Sequence, residues 1–135
     1  MGPFTVYIID DDASVRSGLL RLMRSHDLRA QAYANPQSFI ESLASDASGC
    51  VLLNINLPDM TNLQLPQQMA GKGIRLPVIA VSVENDDRTR RATRALGASF
   101  LLHKPVDDQA LIDAIFWVSG SSDAEMRSAG NGRAG

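Results

Sequence analysis

The chain has 135 residues, of which 44% are hydrophobic and 21% are charged, so it is long enough for one domain with a buried core and too short for two. Its 13 basic and 15 acidic residues leave a formal charge of −2, which excludes a bulk electrostatic attraction to nucleic acid or to an acidic membrane. The first apolar run, Val6 to Ile9, is also too short for a signal peptide or a membrane span.

Short apolar runs alternate with segments of helical periodicity along most of the chain. The runs predict five strands, at Thr5 to Asp10, Arg29 to Tyr33, Cys50 to Asn54, Val78 to Ser82 and Phe100 to His103. A helix is predicted after each strand. The first has Asp12 as its cap and Val15 to Met23 on its apolar side, and the second begins at Pro36 with Asn35 as its cap. The third lies near Leu63 to Met69 and is interrupted by Pro66, the fourth runs from Asp86 or Asp87 to Gly97, and the fifth runs from about Asp107 to Val118. The alternation predicts an α/β fold, a doubly wound five-stranded parallel sheet with five helices.

The composition changes after Val118. Glycine, serine and alanine dominate from Gly120 onward, and such a segment buries too little apolar surface to order itself. We therefore expect a domain over residues 1–119 and a tail or linker over residues 120–135.

Polar side chains stand where the predicted strands end. Asp10 and Asp11 follow the first strand, Asn54 ends the third, Ser82 ends the fourth and Lys104 follows the fifth. Ligands of open parallel sheets gather at the carboxyl ends of the strands. Carboxylates, an amide, a hydroxyl and an ammonium at one edge are the groups that hold a divalent metal and a phosphoryl group.

The order and spacing of these residues resemble the receiver domains of two-component response regulators, most closely those that precede a LuxR-type helix-turn-helix output domain. The matching stretches are Ile8 to Asp12, Leu52 to Met60, Val78 to Ser82, and Gly97-Ala98 through Lys104-Pro105. The resemblance implies a flavodoxin-like fold and phosphoryl transfer from a histidine kinase to an aspartate on the third strand. It also implies that Asp10, Asp11 and the positions of Asn54 and Asn56 would hold magnesium, and that Ser82 and Lys104 would contact the phosphoryl group.

Several positions depart from the receiver pattern. Asn54 occupies the phosphoacceptor position, and an amide is not a nucleophile at neutral pH, so no acyl phosphate is expected there. Without that carboxylate we expect a degenerate magnesium site that binds weakly or not at all. Val83 stands where a small residue is usual and would crowd the pocket. Leu101 takes the place of the aromatic switch residue, with Phe100 pointing to the opposite face.

Two interpretations of Asn54 stay open. In the first, the chain is a native pseudo-receiver that acts through protein–protein interaction and is not an enzyme. In the second, it is a conventional, phosphorylated transcriptional response regulator whose acceptor has been changed to Asn54. A third hypothesis, a magnesium-dependent hydrolase of the aspartyl-phosphate type, is disfavoured because its nucleophile is missing. Lys104 could also serve only as a structural ion-pair partner for the acids after the first strand.

The last two helices suggest an interface. Arginines at 88, 90, 91 and 94 are expected to form a solvated face of the fourth helix. Phe116 and Trp117 lie beside an apolar stripe that is already complete, so we expect an exposed aromatic patch unless the tail covers it. A possible homodimer would use Arg91, Arg94, Asp113, Phe116 and Trp117.

The single cysteine bears on the cellular setting. Cys50 can form no internal disulfide and begins an apolar run, where a buried thiol is ordinary. The sequence therefore favours a reducing, cytoplasmic location. The expected partners are a histidine kinase or another signalling protein, with no direct nucleic-acid binding by this domain and no membrane.

Overall fold

The structure is a computed structural model that describes the backbone of residues 3–55 and 61–131 and the side chains of residues 3–55 and 63–120. In these ranges the strands are β1 (Phe4–Ile9), β2 (Arg29–Tyr33), β3 (Ser48–Asn54), β4 (Val78–Ser82) and β5 (Phe100–His103). The helices are α1 (Ala13–Ser25), α2 (Pro36–Ser42), α3 (Leu65–Gly71), α4 (Asp87–Leu96) and α5 (Asp108–Asn131), with a 3₁₀ turn, Thr61–Gln64, before α3.

The five described strands form one parallel sheet in the order β2-β1-β3-β4-β5. The order reverses at β1, from which the chain first adds β2 on one side and then β3, β4 and β5 on the other. This is the doubly wound sheet that the sequence predicts, and its switch point lies between β1 and β3.

Helix starts follow the capping chemistry of the sequence. The side chains of Asp12, Asn35 and Asp86 accept hydrogen bonds from backbone N–H groups in the first turns of α1, α2 and α4. Gly97 ends α4 in the left-handed conformation, with φ of 80°. Pro66 lies in the first turn of α3, where its missing N–H costs no helical hydrogen bond. These predictions are confirmed.

Two apolar layers sandwich the sheet. Phe39, Leu53, Leu65 and Met69 represent the layer under α2, α3 and α4, and Ile8, Met23, Leu52 and Ile115 represent the layer under α1 and α5. Because successive residues of a strand point to opposite faces, Leu52 and Leu53 fall in different layers. Each strand of the centre is therefore buried on both sides, which explains its continuous apolar sequence.

Some boundaries differ from those predicted. Strand β3 begins at Ser48, two residues before the predicted start, because Gly49 lets the two backbones approach so closely that a Cβ there would lie 1.8 Å from the Thr5 carbonyl oxygen. Ile112 is buried with the core, so the apolar stripe of α5 is wider than predicted.

The last helix is also longer than predicted. Helix α5 continues to Asn131 instead of ending near Val118, because the alanines, methionine and glutamate after Gly120 favour helix and no proline interrupts them. No helix in the described part of the chain is both long enough and apolar enough to cross a membrane.

Candidate functional site

The carboxyl ends of four strands meet at one edge of the sheet. Backbone hydrogen bonds fix them relative to one another: the Ile55 N–H donates to the Val81 carbonyl at 2.8 Å, and the Lys104 N–H donates to the Ser82 carbonyl at 2.8 Å. The strand register pairs Ile9 with Leu53, so Asp10 and Asn54 follow neighbouring strands at the same level. The sheet thus assembles the polar residues that the sequence analysis selected.

Asp10 and Lys104 form an ion pair at this edge. The Lys104 Nζ lies 3.1 Å from Asp10 Oδ2, although the two residues are 94 positions apart in the sequence. The Asp10 side chain is only 5% exposed and that of Lys104 is 24% exposed. A carboxylate so deeply buried requires a partner, and the ammonium supplies one.

Arg16 adds a second positive charge next to Asp10. From the first turn of α1, its Nη1 donates to the Asp10 backbone carbonyl at 2.8 Å. The polar residues selected from the sequence do not include Arg16. Its spacing of six residues after Asp10 was the available signal, because the loop and first helical turn bring that position back to the strand end.

Asn54, Asp10 and Lys104 share the polar end of a cavity of about 430 Å³. Apart from Asp108, the remainder of the cavity is lined by apolar residues and glycine, and it lies between α1 and the first turn of α5 with the segment that leads into it. Sequence periodicity did not predict the cavity, since it assigns residues to faces but does not measure the gap between two helices.

Two predicted site residues lie apart from this group. Ser82 is buried, does not line the cavity, and its Oγ accepts a hydrogen bond from the Glu84 N–H at 3.0 Å. Asp11 is exposed. The described structure therefore brings together Asp10, Asn54 and Lys104, while Ser82 and Asp11 occupy the surrounding strand ends.

Asp12 has a structural role. Its carboxylate accepts hydrogen bonds from the Ser14 and Val15 N–H groups and from the Ser14 hydroxyl, at 2.8, 3.2 and 2.7 Å. These bonds, led by the one from the Ser14 hydroxyl, lower the pKa of Asp12 because they favour its charged form. The prediction that Asp12 caps α1 is confirmed.

The predicted magnesium site would use Asp10, Asp11, Asn54 and Asn56, of which Asn56 lies outside the described residues. Both oxygens of Asp10 already accept hydrogen bonds, Oδ1 from the Asp12 N–H and Oδ2 from Lys104. Among the described residues, no three His, Cys, Asp or Glu side chains are grouped so as to hold a metal. The described donors thus fit a divalent cation poorly, and weak or absent magnesium binding stays a prediction.

The neighbouring apolar positions follow strand alternation. Leu101 packs in the layer under α4, whereas Phe100 packs in the opposite layer, as predicted. Val83 is 62% exposed and does not line the cavity, so it does not crowd the group formed by Asp10, Asn54 and Lys104. His103 Nε2 lies 2.9 Å from the Val83 carbonyl oxygen, an ordinary polar contact.

A second surface lies along edge strand β5, with α4 on one side and α5 on the other. Phe116 and Trp117 are 48% and 61% exposed. The Trp117 and Phe100 rings pack edge-to-face, with 5.6 Å between their centroids. Arg91, Arg94 and Asp113 are exposed as well. The aromatic side chains remain exposed although α5 continues to Asn131, so the described helix does not fold back over them.

Comparison with known proteins gives consistent matches. Residues 6–116 match the family described as response regulator receiver domain. The transcriptional regulatory protein TdiR of Thauera aromatica is 33% identical over 111 residues, which cover 82% of this chain and 49% of TdiR. The chain thus spans about half the length of this curated relative.

Solved structures show the same fold. The response regulator StyR superposes with a TM-score of 0.77 at 33% identity, covering 95% of this chain and 64% of StyR. The structure named FixJ-N gives a TM-score of 0.75 at 25% identity, covering 88% of this chain and 95% of that one. The flavodoxin-like arrangement expected from the sequence is confirmed.

Proposed function

The chain belongs to the response regulator receiver family, and from that premise we propose that it is a two-component signalling module that acts by binding other proteins rather than by accepting a phosphoryl group. The observation that carries this proposal is Asn54 at the end of β3, beside the Asp10–Lys104 ion pair. The strand end where phosphoryl transfer needs a carboxylate holds an amide instead.

The chemistry of the amide supports this proposal. A carboxylate oxygen can attack a phosphoryl group to form an acyl phosphate, whereas the amide nitrogen of Asn54 has its lone pair delocalised into the carbonyl. The change also removes a negative charge. At about 4 Å, one unit charge contributes about 4 kcal/mol of attraction to a cation at an effective dielectric constant of 20.

The positive charges around Asp10 support the same conclusion. Lys104 and Arg16 both donate to Asp10, one to its carboxylate and the other to its backbone carbonyl. The buried acid is therefore neutralised by the chain's own side chains and needs no bound metal for its stability. In this proposal Lys104 is a structural ion-pair partner.

A magnesium titration tests the degenerate site. Thermal unfolding of the unmodified chain is expected to shift little in millimolar magnesium, because stabilisation follows RT ln(1 + [L]/Kd) and vanishes when Kd exceeds the free ion concentration. Asn54→Asp is expected to make the melting temperature magnesium-dependent. Asn85→Asp adds the same charge at an exposed position and serves as the matched control. Equal, large shifts in all three forms would contradict the proposal.

The second candidate function is a conventional, phosphorylated transcriptional response regulator whose acceptor has been changed to Asn54. The name of one relative favours it, since TdiR is called a transcriptional regulatory protein. The matched segment covers only 49% of TdiR, which supports a second domain in the whole protein under this alternative. Under this alternative, Asn54→Asp alone restores phosphorylation by a small phosphodonor.

We propose the β5 edge as the interaction surface, with Phe116 and Trp117 as its apolar centre and Arg91, Arg94 and Asp113 as its charged rim. Among the strands that the structure describes, β5 pairs only with β4, and an open edge strand beside exposed aromatic side chains is typical of an interface. Arginines on α4 and an acid on α5 are complementary across a two-fold axis, which favours a second copy of the chain as the occupant.

Sedimentation velocity tests the homodimer. Truncating a central aromatic side chain costs about 2 kcal/mol, so Trp117→Ala is expected to weaken dimerisation about thirtyfold. Arg91→Ala, at the rim, is expected to act weakly and mainly at low salt, and Arg24→Ala on α1 is the control of equal charge. A monomer at about 100 μM in the unmodified chain, a concentration at which interfaces stronger than about 5.5 kcal/mol assemble, would contradict the dimer.

The remaining elements of the proposal concern setting and partners. A histidine kinase or another signalling protein is the partner class that fits a receiver fold, and the free, buried Cys50 supports a reducing, cytoplasmic location. The net charge of −2 supports the absence of direct nucleic-acid binding by this domain.

A further inference from the structure

The cavity between α1 and α5 is larger than the polar site to which it connects. Its volume of about 430 Å³ falls within the range of about 300–1,000 Å³ that is usual for small-molecule pockets. The floor consists of buried strand residues such as Ile8, Leu52 and Val81, and the walls are Leu19 and Leu22 on one side and Val106 on the other.

Helix α1 leaves this space unfilled. Within α1, all of which the structure describes, Met23 is the only buried residue, and Val15, Leu19 and Leu22 are only half-buried along the cavity. Leucines that face the core in the interior of a helix ordinarily lose most of their exposure on packing. The apolar stripe of α1 therefore has surface available to a ligand.

Gly18 is a second, independent observation. It lies in the middle of α1 and lines the cavity, and a Cβ built there would meet only the Arg21 guanidinium, at 3.9 Å. Its backbone is not in the left-handed region, so the helix does not require glycine at this position. Glycine inside a helix costs about 0.5–1 kcal/mol relative to alanine. Neither the backbone conformation nor packing within the chain requires glycine at position 18. A ligand in the cavity would occupy the space that the missing side chain leaves.

The charges around the cavity select the ligand chemistry. Its lining carries the carboxylates of Asp10 and Asp108 and the ammonium of Lys104, and the Arg16 guanidinium donates to the Asp10 carbonyl beside them, so the positive and negative charges around the polar end are balanced. A ligand with a charge of either sign would meet a like charge there and would lose its hydration without a net electrostatic attraction. A hydroxyl or amide both donates and accepts hydrogen bonds, and thus suits a polar end that holds a carboxylate, an amide and an ammonium.

We propose that this cavity binds a small, uncharged amphipathic molecule, with an apolar ring or chain between α1 and Val106 and a hydroxyl or amide group at the end formed by Asp10, Asn54 and Lys104. A ligand bound there contacts the residues at the carboxyl ends of the strands. The domain can then receive a chemical signal at that edge independently of phosphoryl transfer.

The test uses 2-naphthol as the probe, an uncharged two-ring molecule with one hydroxyl. Backbone amide NMR titration of the full chain is expected to show saturable shifts at Gly18, Leu22 and Val106. The same rings carrying a carboxylate, 2-naphthoate, are expected to bind about tenfold more weakly. Gly18→Leu fills the cavity from α1 and is expected to weaken 2-naphthol binding about tenfold or more.

Gly71→Leu is the matched control, because Gly71 is exposed in α3 and a Cβ there meets nothing within 4 Å. It is expected to leave the affinity unchanged, and thermal melts verify that both variants fold. Three results would overturn the proposal: no saturable shifts at millimolar 2-naphthol, equal affinity in Gly18→Leu and the unmodified chain, or shifts confined to Phe116 and Trp117. If the amide shifts of the cavity residues change with protein concentration and not with 2-naphthol concentration, a second copy of the chain occupies the cavity. That result would also refute the proposal.

Discussion

Removing Lys104 tests whether the ion pair at the sheet edge stabilises the fold. With 3.1 Å between Lys104 Nζ and Asp10 Oδ2, the attraction is about 5 kcal/mol at an effective dielectric constant of 20. Breaking a buried pair usually costs about 3–5 kcal/mol, because the remaining charge is left without a partner. Since Lys104 is 24% exposed, water replaces part of its contact, and we expect Lys104→Met to cost about 2–3 kcal/mol.

Asp10→Asn in the Lys104→Met background removes the charge that was left behind. The double variant is therefore expected to recover most of the loss, with a coupling free energy of about 2 kcal/mol between the two positions. Urea unfolding followed by far-ultraviolet circular dichroism measures each corner of the cycle. Lys72→Met is the matched control, because among the described residues the Lys72 Nζ donates to the backbone carbonyls of Ile40 and Leu43 and to no carboxylate. The reasoning would be refuted if the effects of Lys104→Met and Asp10→Asn on the free energy of unfolding were additive. It would also be refuted if Lys104→Met lowered that free energy no more than Lys72→Met does.

Three further predictions concern single positions. Burial raises the pKa of Cys50 to about 12, so the native thiol is expected to react slowly with a disulfide reagent at mildly alkaline pH and rapidly in urea, and rapid labelling of the folded chain would contradict its burial. The hydrogen bond from the Thr89 N–H lowers the pKa of Asp86 below 3.8, so the charged cap stabilises the fold above that value and loses its effect as pH falls through the lower native pKa. The unmodified chain is therefore expected to melt at a higher temperature than Asp86→Ala at neutral pH, and this difference should disappear in strong acid. Gly49→Ala places a Cβ 1.8 Å from the Thr5 carbonyl oxygen and is expected to cost about 4 kcal/mol or more in urea unfolding, whereas Gly71→Ala is expected to cost nothing, and a tolerated Gly49→Ala would contradict the close approach of β1 and β3.

Most of the fold was predictable from sequence because its signals are local. Three of the five strands, β2, β4 and β5, have the predicted bounds. The buried strand β4 is an uninterrupted apolar run that ends at a polar residue, whereas the edge strands β2 and β5 are only partly buried. The caps at Asp12, Asn35 and Asp86 follow from side chains that compete for the first backbone N–H groups of a helix.

The site was predictable in part because the parallel topology brings together residues that end different strands. Parallel strands place Asp10 and Lys104 at the same end of the sheet, and the structure contains the ion pair that the sequence analysis gave as one of two roles for Lys104. The cavity beside Gly18 was not predictable, because its volume depends on the rotation of α1 and on the distance of α1 from α5, and the contact of Arg16 with Asp10 was indicated only by their six-residue spacing. The end of α5 was also predicted wrongly, because the helix continues past Val118 through a segment that is rich in glycine and serine.

The central claim, that the domain works without phosphorylation, is tested most directly by intact mass spectrometry after incubation with acetyl phosphate and magnesium. The Asn54→Asp variant is treated in parallel as the form in which an acyl phosphate is chemically possible at this strand end. We predict that the unmodified chain keeps its mass, because Asn54 supplies no nucleophile and both oxygens of Asp10 are engaged by Asp12 and Lys104. A stable gain of one phosphoryl group by the unmodified chain would contradict the account.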